Sequence, residues 1–426
     1  MKIALFTIGC KVNQYETEAM AEKLEDFGFE RVDFSEQADI YIINTCTVTK
    51  ESDYSSRQAI YRAHRRSPHA KIVVTGCYAQ MEKEFLEGLP GVSLVVKQEE
   101  KDKLPAMVRE MLGQGARVKE KDGLFFSPGI KGLAKHTRAL VKIQDGCEKN
   151  CAYCIVPFAR GKERSRKSDE IIAEINTLVE NGYREVILTG VHVGRYNQDG
   201  LNLTGLSQEI LKQTRVERIR YSSIEPGEIP DELIDLISKT HRICRHLHIP
   251  LQSGDDFILS EMKRAYTSEE YLVLADKLTQ AIPGILIGAD VIVGFPGETD
   301  WQFENTCQFI RSSPVNYLHV FSYSDRKGTL ASQMMYKIAP EVIHRRSEVL
   351  HELGWEKWRN FIDRFIGNRL DVLIENRRDR ITGKLTGLSD NYIRVILEGD
   401  DSLKNKIIAI HISRREDNKL WGDISP

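Results

Sequence analysis

The sequence predicts an α/β protein in three parts. A parallel-sheet domain spans residues 1–120, a partial (β/α)6 barrel spans 137–365, and a small all-β barrel spans 366–426, with 121–136 as linker. Three observations carry this. Residues 1–120 alternate apolar β-branched runs with helical periodicity. From 137 to about 325 the same alternation resumes with six strand-like runs, "TRALVKIQ", "REVILTG", "IRYSSI", "HLHIPL", "LIGADVIVGF" and "YLHVFSYS". From Gly367 the period changes to short strands separated by Gly, Asn and Asp turns. A chain of 426 residues suits two to three domains.

In the first part, "IALFTIGC", "IYIINTC" and "KIVVTGC" each end an apolar run on a thiol: Cys10, Cys46 and Cys77. Between the first two, "ETEAMAEKLEDFGFE" places Met20, Leu24 and Phe27 at helical spacing, and Gly28 stands where a helix stop is expected. "ESDYSSRQAIYRAHRRS" reads as the next helix. Parallel sheets bind ligands outside the carboxyl ends of their strands, so the three cysteines can converge on one rim. In the second part, "SDEIIAEINTLVENGY" and "PDELIDLISKT" are helix-like, and Pro340–Phe365 reads as one long helix. In the third, "NRLDVLIENR", "ITGKLTGLS", "NYIRVILEG" and "NKIIAIHISRRE" are short strands.

The formal charge of −2 gives no bulk signal for nucleic acid, although local charge can still provide one. No apolar run reaches the ~18 residues that a membrane span needs, and Ile3–Ile8 is too short for the core of a signal peptide. A cytoplasmic, monomeric protein without a membrane partner is expected. In a reducing compartment eight cysteines do not form disulfides, and metal ligation is the first reading.

"DGCEKNCAYC" sets Cys147, Cys151 and Cys154 at C-x3-C-x2-C directly after the first barrel strand. Zinc sites usually pair two C-x2-C units. Three thiolates on one loop suit three corners of an iron–sulfur cube, whose usual complement is four cysteines, and so leave one iron open. A zinc loop or coincidental thiols are the other readings.

At this loop the sequence resembles the radical S-adenosylmethionine superfamily. The longer "DGCEKNCAYCIVPFARGKERSR" is similar to the methylthiotransferases within it, as are "GCKVNQYETE", the Cys46 and Cys77 strand ends, "HIPLQSGDD", "VGFPGET" and "SYSDRKGTLA". The likeness covers essentially the whole chain, including a C-terminal barrel similar to the TRAM RNA-binding module. It implies two [4Fe–4S] clusters. One, on Cys147, Cys151 and Cys154, would chelate S-adenosyl-L-methionine at its open iron and yield a 5′-deoxyadenosyl radical. The other, on Cys10, Cys46 and Cys77, would carry the sulfur to be transferred. Tyr153 would lie near the adenine and Gly190 near the methionine amino group. Glu225, Gln252, Ser253 and Asp290, at or near later strand ends, are further candidates for the cofactor cradle. His192, His246 and His248 are read as polar or packing residues, and Cys244 and Cys307 as core thiols.

Two basic stretches stand out. Arg57, Arg62, Arg65, Arg66 and Lys71 lie in a run without acids. Arg160, Lys162, Arg164, Arg166 and Lys167 follow the cluster loop with one acid among them. The second is read as an RNA contact because it adjoins the chemistry. Residues 367–426 hold 11 Lys/Arg and 10 Asp/Glu, a net of +1, so the C-terminal barrel lacks the basic surface of a generic RNA binder.

The resemblance implies a tRNA methylthiotransferase acting at C2 of an adenosine in the anticodon stem-loop, fed by an external reductant such as flavodoxin. "CKVNQYETE" looks most like the branch acting on N6-threonylcarbamoyladenosine. Isopentenyladenosine tRNA and a ribosomal-protein aspartate are the alternative substrates. A non-catalytic iron–sulfur electron carrier is the alternative of another class.

Overall fold

A computed structural model describes residues 1–113, 129–133 and 136–424. The N-terminal sheet contains β1 (Lys2–Thr7), β2 (Glu30–Val32), β3 (Ile40–Thr45), β4 (Lys71–Gly76) and β5 (Val92–Val96), in the order β2-β1-β3-β4-β5. Every pairing is parallel. The central strand β3 is buried along its whole length. Ile40 and Ile42 face one apolar core while Tyr41 and Ile43 face another, which is why it reads as an unbroken apolar run. The edge strands β2 and β5 were not among the expected elements.

Helix α1 spans Lys11–Asp26 and begins five residues before the expected stretch, with Cys10 at its N-cap. Asn13 holds this extra turn, because its side-chain amide donates to the carbonyls of Ile8 (2.8 Å) and Thr45 (3.0 Å). Helix α2 spans Lys50–Arg66 and is capped by Thr49. Helix α3, Cys77–Met81, starts on the third cysteine itself.

The second part contains β6 (Ala139–Lys142), β7 (Glu185–Thr189), β8 (Arg218–Tyr221), β9 (His246–His248), β10 (Leu286–Val293) and β11 (Tyr317–Ser322). They form two three-stranded parallel sheets joined by a parallel bridge between Ile219 and Ile243. The result is one arc in chain order, and among the described residues β11 does not pair with β6. Ile219, Leu247, Ile287, Ala289 and Val291 pack into the main apolar core. The alternating residues Arg218, Arg220, His246, His248 and Asp290 therefore share the concave face. A polar inner face is what a barrel needs if its lumen is a binding site rather than a packed core.

The other two parts complete the enclosure. Helix α1 crosses the open side beside β6, and Arg326, beyond β11, pairs with Asp53 of the N-terminal domain (2.8 Å). The lower end is plugged by a closed barrel of β12 (Arg369–Ile374), β13 (Leu385–Ser389), β14 (Arg394–Leu397), β15 (Ile407–Glu416) and β16 (Lys419–Ile424), ordered β12-β13-β14-β16-β15. Arg218 and Arg220 donate to the carbonyls of Asp371 (2.8 Å), Leu388, Ser389 and Asp390 (2.9 Å) of this plug. The fifth strand, β16, was not expected; Asp417 supplies its turn at φ 52°.

The 121–136 linker lies mostly outside the described residues. Within it, Ile130 and Leu133 are buried in the main core, and the Ile130 amide donates to Glu174 (2.9 Å).

Candidate active site

All eight thiols are free. Cys10, Cys46 and Cys77 follow the carboxyl ends of β1, β3 and β4, the neighbouring central strands of one parallel sheet. Two glycines make their approach possible. Gly9 has φ 104°, and a Cβ there would come within 2.9 Å of the Cys46 sulfur. Gly76 has φ 102°, and a Cβ there would meet the Thr45 carbonyl oxygen at 2.3 Å. Both need the left-handed region and the missing side chain. Cys46 and Cys77 are buried and Cys10 is exposed. Burial, followed by the neighbouring thiols Cys77 and Cys10, pushes the Cys46 thiol up to about 11.

The second triad sits on the loop after β6. Gly146, again at positive φ, brings the loop back so that the Cys147 amide donates to Gly161 (3.0 Å). Burial pushes Cys154 up to about 12 and also raises Cys151, which receives a hydrogen bond from Arg264 Nη1 at 3.2 Å. Arg264 also reaches the Tyr153 hydroxyl (3.4 Å) and pairs with Glu225. Tyr153 and Ile292 of β10 both pack against one small apolar cluster that includes Met262 and Phe295. Close, buried thiols resist ionisation unless positive charge joins them, which is the condition a metal cluster meets.

Between the triads lies a buried ionic network. Arg160, at the end of α4 (Val156–Arg160), bonds Glu16 (2.9 Å), Asp145 (2.9 Å) and the side chain of Asn13 (2.5 Å). Lys142 bonds Glu16 (2.8 Å) and Asp145 (2.7 Å), and Lys101 bonds Glu16 (2.7 Å). Three cations face two carboxylates, so the centre carries one excess positive charge. Burial raises the Glu16 pKa, but Arg160, Lys101 and Lys142 outweigh it and hold the carboxyl well below its usual range. Cys77 and Cys10 lie close enough to help hold Arg160 in its charged form. Anionic thiolates are favoured next to such a centre.

The other expected site residues divide. Gly190 directly follows β7, and a Cβ there would lie 3.0 Å from the Gln144 carbonyl oxygen, a tight contact. Gln144 accepts from the His192 amide (2.7 Å) and donates to Gly146 (2.8 Å), tying the two loops together. Glu225 reaches the cluster loop through Arg264 and Lys149. Gln252 has φ 66°, and its backbone bonds both sides of Asp290–Ile292. Two residues bond neighbours within the fold. Ser253 is buried, with its hydroxyl against Thr306 (3.1 Å). Asp290 holds His248 (2.8 Å) and His319 (3.3 Å). His246 stacks on Tyr392 at 4.5 Å, and Cys244 and Cys307 are fully buried.

The basic stretch needs a correction. Arg160 and Arg166 are 6% and 5% exposed. Arg160 serves the central network and Arg166 pairs with Glu174, so neither guanidinium faces a phosphate. Lys162 and Lys167 are exposed, and Arg164 is partly so, 3.7 Å from Asp145.

Sequence reasoning missed Arg264, Glu16 and the pairing of His192 with Glu163 (2.9 Å) and Glu228 (2.7 Å). Burial lowers the His192 pKa, but the Cys147 sulfur and Glu228 raise it to about 10. No local pattern marks Arg264, which lies more than a hundred residues from the thiol it touches.

Residues 2–97 match the family described as "Uncharacterized protein family UPF0004", and residues 141–310 match the "Radical SAM superfamily". The chain is 38% identical over 422 residues to a threonylcarbamoyladenosine tRNA methylthiotransferase of Bacillus subtilis, covering 96% of this chain and 93% of that one. It is 39% identical over 407 residues to a protein of the same name from Aquifex aeolicus, covering 94% and 97%. A tRNA-2-methylthio-N(6)-dimethylallyladenosine synthase of Cereibacter sphaeroides is 36% identical over 431 residues, covering 99% and 98%. Among solved structures, the radical S-adenosylmethionine methyltransferase TsrM of Kitasatospora setae matches with a TM-score of 0.56 at 16% identity, covering 75% of this chain and 72% of that one. The cobalamin-dependent enzyme OxsB matches at 0.53 and 12% identity, covering 85% and 56%. These two likenesses show the fold.

Proposed function

The chain belongs to the radical S-adenosylmethionine methylthiotransferases, and from that membership we infer that it adds a methylthio group to C2 of N6-threonylcarbamoyladenosine beside the tRNA anticodon. It is an enzyme that uses S-adenosylmethionine and [4Fe–4S] clusters. The electron-carrier reading gives way, because its near-full-length relatives bear the names of enzymes.

We assign Cys147, Cys151 and Cys154 to the cluster that binds S-adenosylmethionine, and Cys10, Cys46 and Cys77 to a second cluster. The donor sets fit: each is three thiols gathered by positive-φ glycine, beside a centre with excess positive charge. When bound, the two clusters supply the electron that generates a carbon radical and the sulfur that is inserted. The chain's residues position them. Arg160 ties α1, which begins at Cys10, to Asp145 at the root of the other loop. Gln144 pins the Gly190–His192 turn to that loop. Tyr153, Glu225 and Arg264 form the wall beside Cys151. Such a site holds a flipped base away from water.

The observation that carries the reading is the pair of thiol triads at the carboxyl ends of two parallel sheets, bridged by one buried network. The concave face bears arginine, histidine and aspartate, which favours a polar threonylcarbamoyl substituent over an apolar dimethylallyl one. An anticodon stem-loop as the bound element, a flavodoxin-like external reductant, a monomeric state and a cytoplasmic location complete the proposal. The test uses the anaerobically reconstituted enzyme, S-adenosylmethionine, a reductant and stem-loop RNA, with nucleosides read by mass spectrometry. The 2-methylthio product from threonylcarbamoyladenosine is expected. Conversion of isopentenyladenosine RNA alone, or of neither RNA, overturns the assignment.

A further inference from the structure

The lower lumen contains an unassigned polar cavity of about 220 Å³, lined among others by Lys11, Arg138, Leu140, Ile187 and Tyr392. Lys11 follows Cys10 directly, so the cavity adjoins the strand-end thiols. Glu375 in its wall and Glu185 nearby are each already paired with another arginine. Glu185 is bonded by Arg220 (2.7 Å) and Glu375 by Arg394 (2.6 Å). Arg138 has only long ion pairs to them, at 4.0 and 3.8 Å, and its buried Nη1 makes no hydrogen bond. No ion pair engages Lys11 among the described residues. His246 is 7% exposed, stacks on Tyr392, and has a buried Nδ1 without a partner. Tyr392 is held there at φ 65°, a strained conformation for a bulky residue.

The electrostatics agree with this geometry. Burial raises the Tyr392 pKa, yet Arg138, Lys11 and Arg220 outweigh it and leave the phenol more acidic than usual. The His246 pKa is lowered well below its ordinary value, first by burial and then by Arg220, His248, Lys11 and Arg138. Surplus cations, unpartnered donors and an aromatic shelf describe a pocket for an anion attached to a planar group.

We propose that Lys11 and Arg138 form a subsite for the carboxylate of an N6-linked amino-acid substituent on the target adenine, with Tyr392, backed by His246, as its polar floor. This rests on the methylthiotransferase reading and deepens it. The chemistry is selective. A carboxylate completes the donor set, whereas a dimethylallyl group would leave both cations desolvated and unpaired.

The test compares binding of two anticodon stem-loop RNAs, one with threonylcarbamoyladenosine and one with unmodified adenosine, to the reconstituted full-length protein. The ratio of dissociation constants cancels general phosphate attraction. The unaltered protein should prefer the modified RNA by about tenfold or more, as charged hydrogen bonds of this kind provide. Lys11→Gln and Arg138→Gln should bring the ratio toward one while leaving affinity for the unmodified RNA nearly constant. Lys162→Gln should weaken both RNAs equally. If Arg138→Gln unfolds, Lys11→Gln decides, since Lys11 is exposed at the helix start. A ratio unchanged in Lys11→Gln overturns the subsite, as does a wild-type ratio of one. Failure of the turnover assay overturns the functional reading instead, and is seen independently of either ratio.

Discussion

The two thiol triads solve one problem in opposite ways. Cys147, Cys151 and Cys154 lie on one loop, and eight residues of sequence bring them together. Cys10, Cys46 and Cys77 span 68 residues and are brought together by strand order. The loop triad needs only local geometry, whereas the strand-end triad exists only once β1, β3 and β4 are paired in register. Both use a glycine at positive φ just before a cysteine, at Gly146 for the loop and at Gly9 and Gly76 for the strands. Metal binding at the strand-end triad is therefore coupled to folding of its whole domain, and at the loop triad chiefly to one turn.

The sharpest break in this comparison is removal of each triad in turn. Replacing Cys147, Cys151 and Cys154 by Ala should remove about four irons per chain and abolish both reductive cleavage of S-adenosylmethionine and methylthiolation. Replacing Cys10, Cys46 and Cys77 should also remove about four irons and abolish methylthiolation, but leave cleavage in place. Iron and sulfide counts with chromatography of 5′-deoxyadenosine read both. Loss of cleavage in the strand-end variant would show that the labour is not divided this way.

Next in size is the network that joins the triads. Arg160→Met leaves Glu16 and Asp145 with one cation fewer in a buried centre. Breaking such a pair costs about 3–5 kcal/mol, visible as a lower denaturation midpoint. Adding Glu16→Met should deepen the loss, because Lys101 and Lys142 still hold Glu16 in the single variant and Lys101 has no other carboxylate among the described residues. A single variant as stable as the parent would place Arg160 outside the network.

The same contrast explains what the sequence could tell. The loop triad was legible from spacing alone. The strand-end triad required the further step that three apolar runs lie in one parallel sheet, and their alternation with helices justified it. The strands β2 and β5 escaped as sheet edges, and β16 because Gly422 and Asp423 leave it no continuous apolar run. Ser253 and Asp290 were legible as strand-end polar residues, but not their partners. Thr306 and His319 arrive from later elements, and no local pattern fixes which hydroxyl or imidazole a fold will bring. Arg160 and Arg166 show the same limit in charge. A run of basic residues looks alike whether its members face solvent or fold back onto Glu16 and Glu174.

That limit leads to the smallest effect. Within "ARGKERSRK", basic residues side by side have different fates: Lys162 and Lys167 are exposed, Arg164 is partly so, and Arg160 and Arg166 are buried. Lys162→Gln and Lys167→Gln should each weaken stem-loop binding modestly and reduce the slope of log affinity against log salt by about one. Thermal stability should stay within about 0.5 kcal/mol of the parent, as for surface changes generally. Arg166→Gln should behave in the reverse manner, destabilising the fold through Glu174 while leaving the salt slope unchanged. A titration at several salt concentrations, paired with a melting curve for each variant, separates the two classes. If Arg166→Gln lowers the slope and the lysine variants do not, the buried ion pair opens when RNA binds, and the phosphate-facing set must be redrawn around the arginines.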